Sequence, residues 1–362
     1  MRWLMLIPVS VLSLGVALAE EPVPPPGLAF VYAVTTSGGQ APVTSIYVQE
    51  VSTGQRRLLY RDTQEANRAL LKIGGSDLVG AGRAVPGRGV YVLMGPATAP
   101  DPSAHLDVMS RLPIAGDLAR EAVPERVFPL PLSFSLASPY GLWNRAPAFA
   151  VSPDGSRFAL SVLRVGASVL PRPTVRILGS SGEEEWRIPL ESADLYVSDL
   201  AFSPDSSLLA YCVLPLGDEH TLDKAMLPKA GVYLADTSAH TTRFLYPGFA
   251  DAIAWGPKPE QITVSLRVGD IWSTRHVGVV LRAASGQKVK ELSLRGGVSA
   301  IAWSGDGRWL AAQTLYQDRQ QVWIYHVSVG WGQPVKLEVQ AGERLCLLGW
   351  AEVATATRTP QP

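Results

Sequence analysis

The chain has 362 residues, of which 47% are hydrophobic and 18% charged, and its formal net charge at pH 7 is +0. This balanced charge, without a basic stripe, argues against nucleic acid as a partner. The length is large for one hydrophobic core, but normal for an array of units that each bury their faces against neighbours.

The first 19 residues have the features of a secretory signal peptide. Arg2 supplies a positive charge, Leu4 to Val16 form an apolar run, and Ala17 to Ala19 form a small-residue cleavage motif. The run is too short for a comfortable membrane span. We therefore expect cleavage between Ala19 and Glu20, a periplasmic or extracellular protein, and no stable membrane span afterwards. Retention as an uncleaved anchor is the alternative.

The rest of the chain divides into three parts by composition. Residues 20–27 contain three successive prolines and read as a short stiff spacer. Residues 28–353 carry strand patterns throughout, and residues 354–362 form a polar stretch that we expect to be a disordered tail. The expected domains are therefore a signal peptide (1–19), a spacer (20–27), a β-propeller domain (28–353) and the tail.

The strand patterns begin with an incomplete unit. Residues 28–61 predict three strands of alternating polarity. The next unit, at about 70–130, is the most degenerate, because the glycine-rich run 82–89 replaces its expected turn motif. The exact limits of this second unit stay open.

Four later segments are copies of one another. They are Phe149–Gly155, Leu200–Ser206, Ile253–Pro259 and Ile301–Gly307. Their third turn positions, 154, 205, 258 and 306, are separated by 51, 53 and 48 residues. In the Ser-Pro-Asp-Gly form of the turn, Pro fixes φ, Asp bonds its own backbone and Gly accepts a positive φ. Each copy therefore predicts a hairpin between two apolar strands.

A second hairpin follows each of these, so that each unit has four strands, as a propeller blade does. The count gives six units. The first lacks an inner strand, and residues 344–350, which match the pattern of 253–255, are placed to supply it. We therefore predict an all-β, six-bladed propeller of four-stranded antiparallel blades, closed when the C-terminal strand joins the N-terminal blade. Seven blades are the alternative.

The hydrophobic-Ala-aromatic-Ser-Pro-Asp-Gly hairpin resembles the WD40-like repeat of the TolB-type six-bladed propellers. The matching segments are 149–155, 200–206 and 301–307, with 253–259 as a departed copy. The resemblance covers roughly residues 28–353 and implies the fold. TolB itself carries an additional N-terminal α/β domain, which we expect to be absent, because only residues 20–27 separate the expected cleavage site from the first strand.

Long connections are predicted on one face of the ring, at 35–44, 95–104, 130–146, 164–173, 215–230 and 268–274. Such loops are where recognition residues accumulate. The loop 130–146 carries Tyr140, Trp143 and Arg145, a composition typical of binding hot spots. Burial of Trp143 as a plug is the alternative.

Charged and aromatic residues in two other loops extend this candidate surface. Asp218, Glu219 and His220 lie in one loop, and Asp270 and Trp272 in the other. They could contact a basic partner or a hard cation, or form a solvated charged loop.

Two carboxylates precede predicted inner strands at the channel mouth. Asp199 and Asp251 could together bind a cation or a basic peptide there. Capping of loop backbone is their alternative role.

No sequence motif identifies a catalytic centre. The chain lacks a Gly-x-Ser-x-Gly elbow, a Cys/His ligand cluster and a phosphate-binding glycine loop. We therefore expect no metal site and no cofactor.

The two cysteines, Cys212 and Cys346, lie in apolar strand patterns on opposite sides of the ring, so we expect buried free thiols.

These features favour an exported, non-catalytic interaction or scaffold module of the bacterial cell envelope. It would bind an envelope or secreted protein or peptide through loops over the central channel. The alternative is a secreted propeller lyase or hydrolase, acting on polysaccharide or peptide at the channel mouth. A purely structural spacer is a third hypothesis.

Overall fold

The computed structural model describes residues 22–36, 43–61, 82–94, 105–114, 121–135, 148–165, 168–215, 228–256, 258–269, 275–316, 319–328, 331–335, 337, 339 and 343–352. The backbone in these ranges forms 24 strands. Among the same residues, no helix has the length and hydropathy needed to cross a membrane.

The strands form six four-stranded antiparallel sheets, numbered here as blades in chain order. Blade 1 contains β1 (Leu28–Thr36), β2 (Val43–Glu50), β3 (Arg56–Arg61) and β24 (Glu343–Glu352); blade 2 contains β4 (Gly82–Val85), β5 (Gly89–Met94), β6 (His105–Leu112) and β7 (Glu125–Ser135); blade 3 contains β8 (Phe149–Val151), β9 (Phe158–Val165), β10 (Ser168–Leu178) and β11 (Glu184–Pro189). Blade 4 contains β12 (Leu195–Phe202), β13 (Leu208–Pro215), β14 (Gly231–Asp236) and β15 (Thr241–Pro247); blade 5 contains β16 (Ala250–Trp255), β17 (Gln261–Arg267), β18 (His276–Arg282) and β19 (Lys288–Ser293); blade 6 contains β20 (Gly297–Trp303), β21 (Trp309–Tyr316), β22 (Arg319–His326) and β23 (Trp331–Val335).

The blades close into a ring through their inner strands. β24, β4, β8, β12, β16 and β20 each contact the next in this order, and β20 contacts β24 again. In blade 1 the order is β24-β1-β2-β3, so the C-terminal strand is the innermost strand of the N-terminal blade. The predicted six-bladed propeller and its closure are both confirmed. Because the ring is closed, the array has no terminal blade with an exposed side.

The hydrophobic core lies in layers between neighbouring blades. In one layer, Cys212 and Val232 of blade 4 pack with Ile253 and Val264 of blade 5.

Both cysteines, Cys212 and Cys346, are buried and free, as predicted. Burial raises the pKa of the Cys212 thiol well above its ordinary value, and the nearby carboxylates act in the same direction, so this thiol is inert.

The repeated turn, Ser-Pro-Asp in blades 3 and 4 and Ser-Gly-Asp in blade 6, is held by the same hydrogen bonds in all three. In blade 6, Ser304 Oγ donates to Asp306 Oδ1 at 2.6 Å, and the Trp309 amide donates to Ser304 Oγ at 3.0 Å. The final position has a positive φ, which is 68° at Gly307 and 62° at Ser206. The motif residues therefore build the turn and are not available for catalysis.

In blades 1, 5 and 6 a Trp at the aromatic position of the repeat links the blade to the preceding one. Trp255 Nε1 in blade 5 donates to the Ala201 carbonyl of blade 4 at 2.8 Å. Trp350 Nε1 in blade 1 donates to the Ala302 carbonyl of blade 6, also at 2.8 Å. Since Trp350 lies in the closing strand, its indole joins the two ends of the ring.

The predicted long connections are shorter in two places because the strands continue further than expected. β9 ends at Val165 and β10 begins at Ser168, so most of 164–173 is strand. β7 likewise runs to Ser135 and takes up the first part of 130–146.

The expectation that Asp199 and Asp251 precede inner strands is wrong, because both residues lie within their strands, β12 and β16.

Two glycines in equivalent outer turns allow a test of how closely adjacent blades pack. Gly54 and Gly286 have φ values of 68° and 71°. A Cβ at Gly54 meets no atom within 4 Å, whereas one at Gly286 overlaps the Leu245 carbonyl oxygen of blade 4. We expect Gly54→Ala to cost about 1–2 kcal/mol through the left-handed backbone alone. Gly286→Ala should cost roughly 1–3 kcal/mol more, because the blades must also move apart.

Urea unfolding of the two variants measures this difference directly. Gly54→Ala is the control for backbone conformation. If both variants lost the same free energy of unfolding, the contact between blades 4 and 5 at Leu245 could adjust to the added methyl group without destabilising the protein.

Candidate functional site

The two ends of the propeller differ in their connections. The turn face carries the Ser-x-Asp turns after β8, β12 and β20. The loop face is the opposite end, where β17 ends at Arg267 and β18 begins at His276, and where β21 ends and β22 begins.

Most of the predicted site residues lie outside the described residues. These are Tyr140, Trp143, Arg145, Asp218, Glu219, His220, Asp270 and Trp272. The strands that bracket them, β7 and β8, β13 and β14, and β17 and β18, end or begin on the loop face. The structure describes the other two predicted residues, Asp199 and Asp251, which lie in adjacent inner strands and are each paired with an arginine.

A β-bulge shapes the inner strand at this level in three consecutive blades. The bulged residues are Ser198 in β12, Asp251 in β16 and Ser299 in β20, each left without a partner in the ladder. A bulge bends the strand and re-aims side chains. Here it brings Ser198 Oγ to the Ala250 carbonyl of the next blade, at 2.8 Å.

Asp199 is a buried structural carboxylate. It accepts hydrogen bonds from the Leu200 and Ile253 amides, both at 2.9 Å, and forms an ion pair with Arg83. Arg83 belongs to blade 2, and its Nε also donates to the Phe149 carbonyl of blade 3 at 2.9 Å. Burial raises the pKa of Asp199, against the opposing effects of Arg83 and the two amides. The pair therefore connects four blades, from blade 2 to blade 5.

Asp251 is held by a two-point contact with the guanidinium of Arg267. One of these contacts, from Arg267 Nε to Asp251 Oδ2, measures 2.5 Å. Burial acts to lower the pKa of Arg267, but the hydrogen bonds and charge of Asp251 outweigh it and raise that pKa. The planar fork of Arg fixes the geometry of the pair.

His276 extends this pair into a carboxylate–imidazole–hydroxyl row. Its Nε2 lies 3.5 Å from Asp251 Oδ2, and its Nδ1 lies 2.8 Å from Ser265 Oγ. The same Nδ1 accepts the Val298 amide at 3.1 Å, so the neutral ring carries its proton on Nε2. Burial lowers the pKa of His276, and Arg267 adds to this against the attraction of Asp251.

This row resembles a catalytic triad in composition, but its surroundings make it structural. Ser265 is 0% exposed, so its hydroxyl has no route to a substrate. The Val298 amide also occupies the lone pair with which His276 would accept a proton from that hydroxyl. Among the described residues, no three His, Cys, Asp or Glu side chains are grouped to hold a metal ion.

Sequence reasoning missed Arg83, Arg267 and His276. Arg83 lies 116 residues from Asp199, and no spacing rule connects them. His276 had no neighbouring ligand or motif in the sequence. The sequence holds only one weak sign of this group. Arg267 and His276 lie on either side of the connection between β17 and β18, and the carboxylate of Asp251 lies in the preceding strand, β16.

Two exposed apolar side chains lie at the loop-face ends of β17 and β21. Val268 directly follows Arg267 and is 38% exposed, and Leu315, near the end of β21 in the next blade, is 49% exposed. Exposed apolar groups around a polar centre are a feature of interaction surfaces. We call Val268, Leu315 and the charges Arg83, Asp199, Asp251 and Arg267 the mouth surface.

No protein-family model and no curated protein matches this chain. Solved structures do. TolB from Acinetobacter baumannii matches with a TM-score of 0.55 and 11% identity, over 88% of this chain and 67% of that chain. A TolB-type protein of Agrobacterium tumefaciens matches with a TM-score of 0.51 and 14% identity, over 85% of this chain and 89% of that one.

This chain has the fold of the TolB-like six-bladed propellers. A chain in the crystal structure of the nidogen/laminin complex also matches, with a TM-score of 0.53 and 10% identity, over 89% of this chain and 97% of that one. At these identities the likeness concerns the fold alone, and it agrees with the resemblance given by the repeat.

Proposed function

We propose that this protein is a non-catalytic interaction module that binds an envelope or secreted protein through its loop face. The observation that carries the proposal is the mouth surface. Its carboxylates are buried and already paired with arginines, while Val268 and Leu315 expose apolar area at the loop-face ends of β17 and β21. Groups committed to ion pairs are poorly suited to acid–base chemistry, whereas exposed apolar area beside fixed charges suits a protein partner.

The connections of the loop face add to this proposal. The hot-spot residues Tyr140, Trp143 and Arg145 belong to the connection between β7 and β8, and Asp270 and Trp272 belong to the one that follows Val268. Aromatic side chains lose little entropy on binding, and arginine is enriched together with them in binding hot spots. The likeness to a chain of the nidogen/laminin complex supports a protein partner by analogy only.

We further propose that the protein is exported. The support is the charged, apolar and small-residue order of residues 1–19, followed by Glu20. The partner would then be a protein or peptide of the periplasm or the extracellular medium. The expected cleavage after Ala19 is checked by N-terminal sequencing of the protein recovered from cells.

The proposal predicts that charges placed on the mouth surface abolish partner capture. The immobilised mature chain is exposed to envelope and medium fractions of the producing bacterium. We expect the double variant Val268→Asp with Leu315→Asp to retain at least about tenfold less of the partner than the wild type. Each new carboxylate must be desolvated on binding, and a loss of about 1.4 kcal/mol already lowers affinity tenfold.

Val289→Asp is the matched control. Val289 is 47% exposed on the outer strand β19, away from the channel mouth. We expect the control to retain the partner at the wild-type level, with circular dichroism showing that all three proteins are folded. Equal retention by the double variant and the wild type, or a loss confined to Val289→Asp, would contradict the proposal.

A further inference from the structure

Buried polar side chains fasten successive blades to one another at the level of the channel mouth. In each case a side chain of one blade bonds the backbone of the next inner strand. Asp199 of blade 4 accepts the Ile253 amide of blade 5 at 2.9 Å. Gln313 of blade 6 accepts the Leu347 amide of blade 1 at 2.7 Å and donates to the Leu345 carbonyl at 2.8 Å.

At the junction of blades 5 and 6 the fastening group is an imidazole. His276 Nδ1 accepts the Val298 amide of β20 at 3.1 Å. The ring is 5% exposed, so water does not replace this bond if it is lost. Imidazole is the group among these three whose ordinary pKa lies near physiological pH.

Among the described residues, the charged groups that face His276 come from two strands of its own blade. Asp251 of β16 lies 3.5 Å from Nε2. Arg267 of β17 is paired with Asp251 and repels a cation on the imidazole. From β17 the uncharged Ser265 hydroxyl also contacts Nδ1, and from β20 of blade 6 the contact is the Val298 amide.

We propose that His276 is a proton-controlled latch between blades 5 and 6. A proton can add to the ring at Nδ1, the atom that accepts the Val298 amide. Once protonated, Nδ1 is a donor facing a donor, so the interblade bond is lost. The local charge also changes, from one balanced Asp251–Arg267 pair to two cations and one carboxylate in a buried site. Acidification therefore loosens this junction, whereas the one held by Gln313, which does not titrate, stays fastened.

The direction of the pH effect follows from the lowered pKa of His276 in the folded protein. The opened or unfolded state takes up the proton first, at its ordinary value of about 6.5. The contribution of the latch is complete above that pH and is lost as pH falls from there to the lower folded value. This inference concerns a blade junction and holds whether or not the proposed loop-face partner exists.

The test is amide hydrogen exchange of the whole mature chain, resolved by NMR between pH 8 and pH 5. The Leu347 amide is the internal reference, because Gln313, which holds it, does not titrate. We expect the protection factor of the Val298 amide to fall, relative to that of Leu347, by up to about tenfold per pH unit between pH 6.5 and the folded pKa. In parallel, imidazole ¹⁵N shifts should show His276 neutral, with the proton on Nε2, at pH 7.

His276→Gln supplies the matched variant, because Gln320, at the equivalent position of blade 6, accepts the Leu345 amide, the equivalent of Val298 in β24, at 2.6 Å. In this variant the relative protection of Val298 should not change with pH. Two results would overturn the proposal: parallel protection of Val298 and Leu347 at every pH in the wild type, or a His276 ring that is already protonated at pH 7. Both are read from the wild type, so the test stands even if the variant does not fold.

Discussion

Trp350→Ala should destabilise the protein by about 3–5 kcal/mol, the range for truncation of a buried Trp. Trp350 is buried in the closing strand β24, and its ring packs edge-to-face on Phe30 with centroids 6.5 Å apart. Its indole N–H bonds the Ala302 carbonyl of blade 6 at 2.8 Å. The substitution therefore leaves a cavity and an unsatisfied acceptor where the ends of the ring meet.

Urea unfolding measures the loss, with Trp350→Phe as the control. Phe retains most of the apolar packing but lacks the N–H donor, so we expect a loss of roughly 1–2 kcal/mol. Together the two variants separate packing from hydrogen bonding at the closure. A loss of less than about 1 kcal/mol for Trp350→Ala would show that this side chain does not hold the ring closed.

Asp199→Ala should cost about 3–5 kcal/mol, the range for removing one member of a buried ion pair. The Arg83 guanidinium would keep its charge without a counterion, and the Ile253 amide would lose its acceptor. The smaller side chain itself fits, because Ala252 and Ala300 occupy the equivalent positions of blades 5 and 6. The loss is therefore electrostatic rather than steric.

Adding Arg83→Met to Asp199→Ala tests this reasoning. Met keeps much of the apolar stem of Arg83 and removes the unpaired charge. We expect the double variant to recover about 1–2 kcal/mol of the free energy of unfolding lost by Asp199→Ala. If the double variant is less stable than the single one, the packing of Arg83 outweighs its charge, and the pair is not the main link between these blades.

The fold could be predicted because local residues specify each of its repeated parts. Ser304, Asp306 and Gly307 form their turn with their own hydrogen bonds and a single positive φ, so a seven-residue pattern is enough to place a hairpin. Closure was predictable for the same reason: Trp350 occupies the aromatic position of a strand for which the N-terminal unit has a vacancy.

The channel mouth could be predicted only in part, because its partners meet through the ring. Asp199 and Asp251 were singled out as carboxylates, although before rather than within their inner strands, and their arginine partners were not predicted. Arg83 reaches Asp199 only after blades 2 to 4 have assembled. The bulge at Asp251 breaks the alternation from which side-chain direction is read in a sequence, so its contacts with Arg267 and His276 were not foreseeable.

The most direct test of the proposed loop-face function is hydrogen–deuterium exchange of the mature chain, alone and bound to the protein that it captures. We predict slower exchange on binding in the segments that contain Val268 and Leu315, and unchanged exchange in the turn-face segment around Asp306. Protection confined to the turn face, or to the outer strand that contains Val289, would contradict the account.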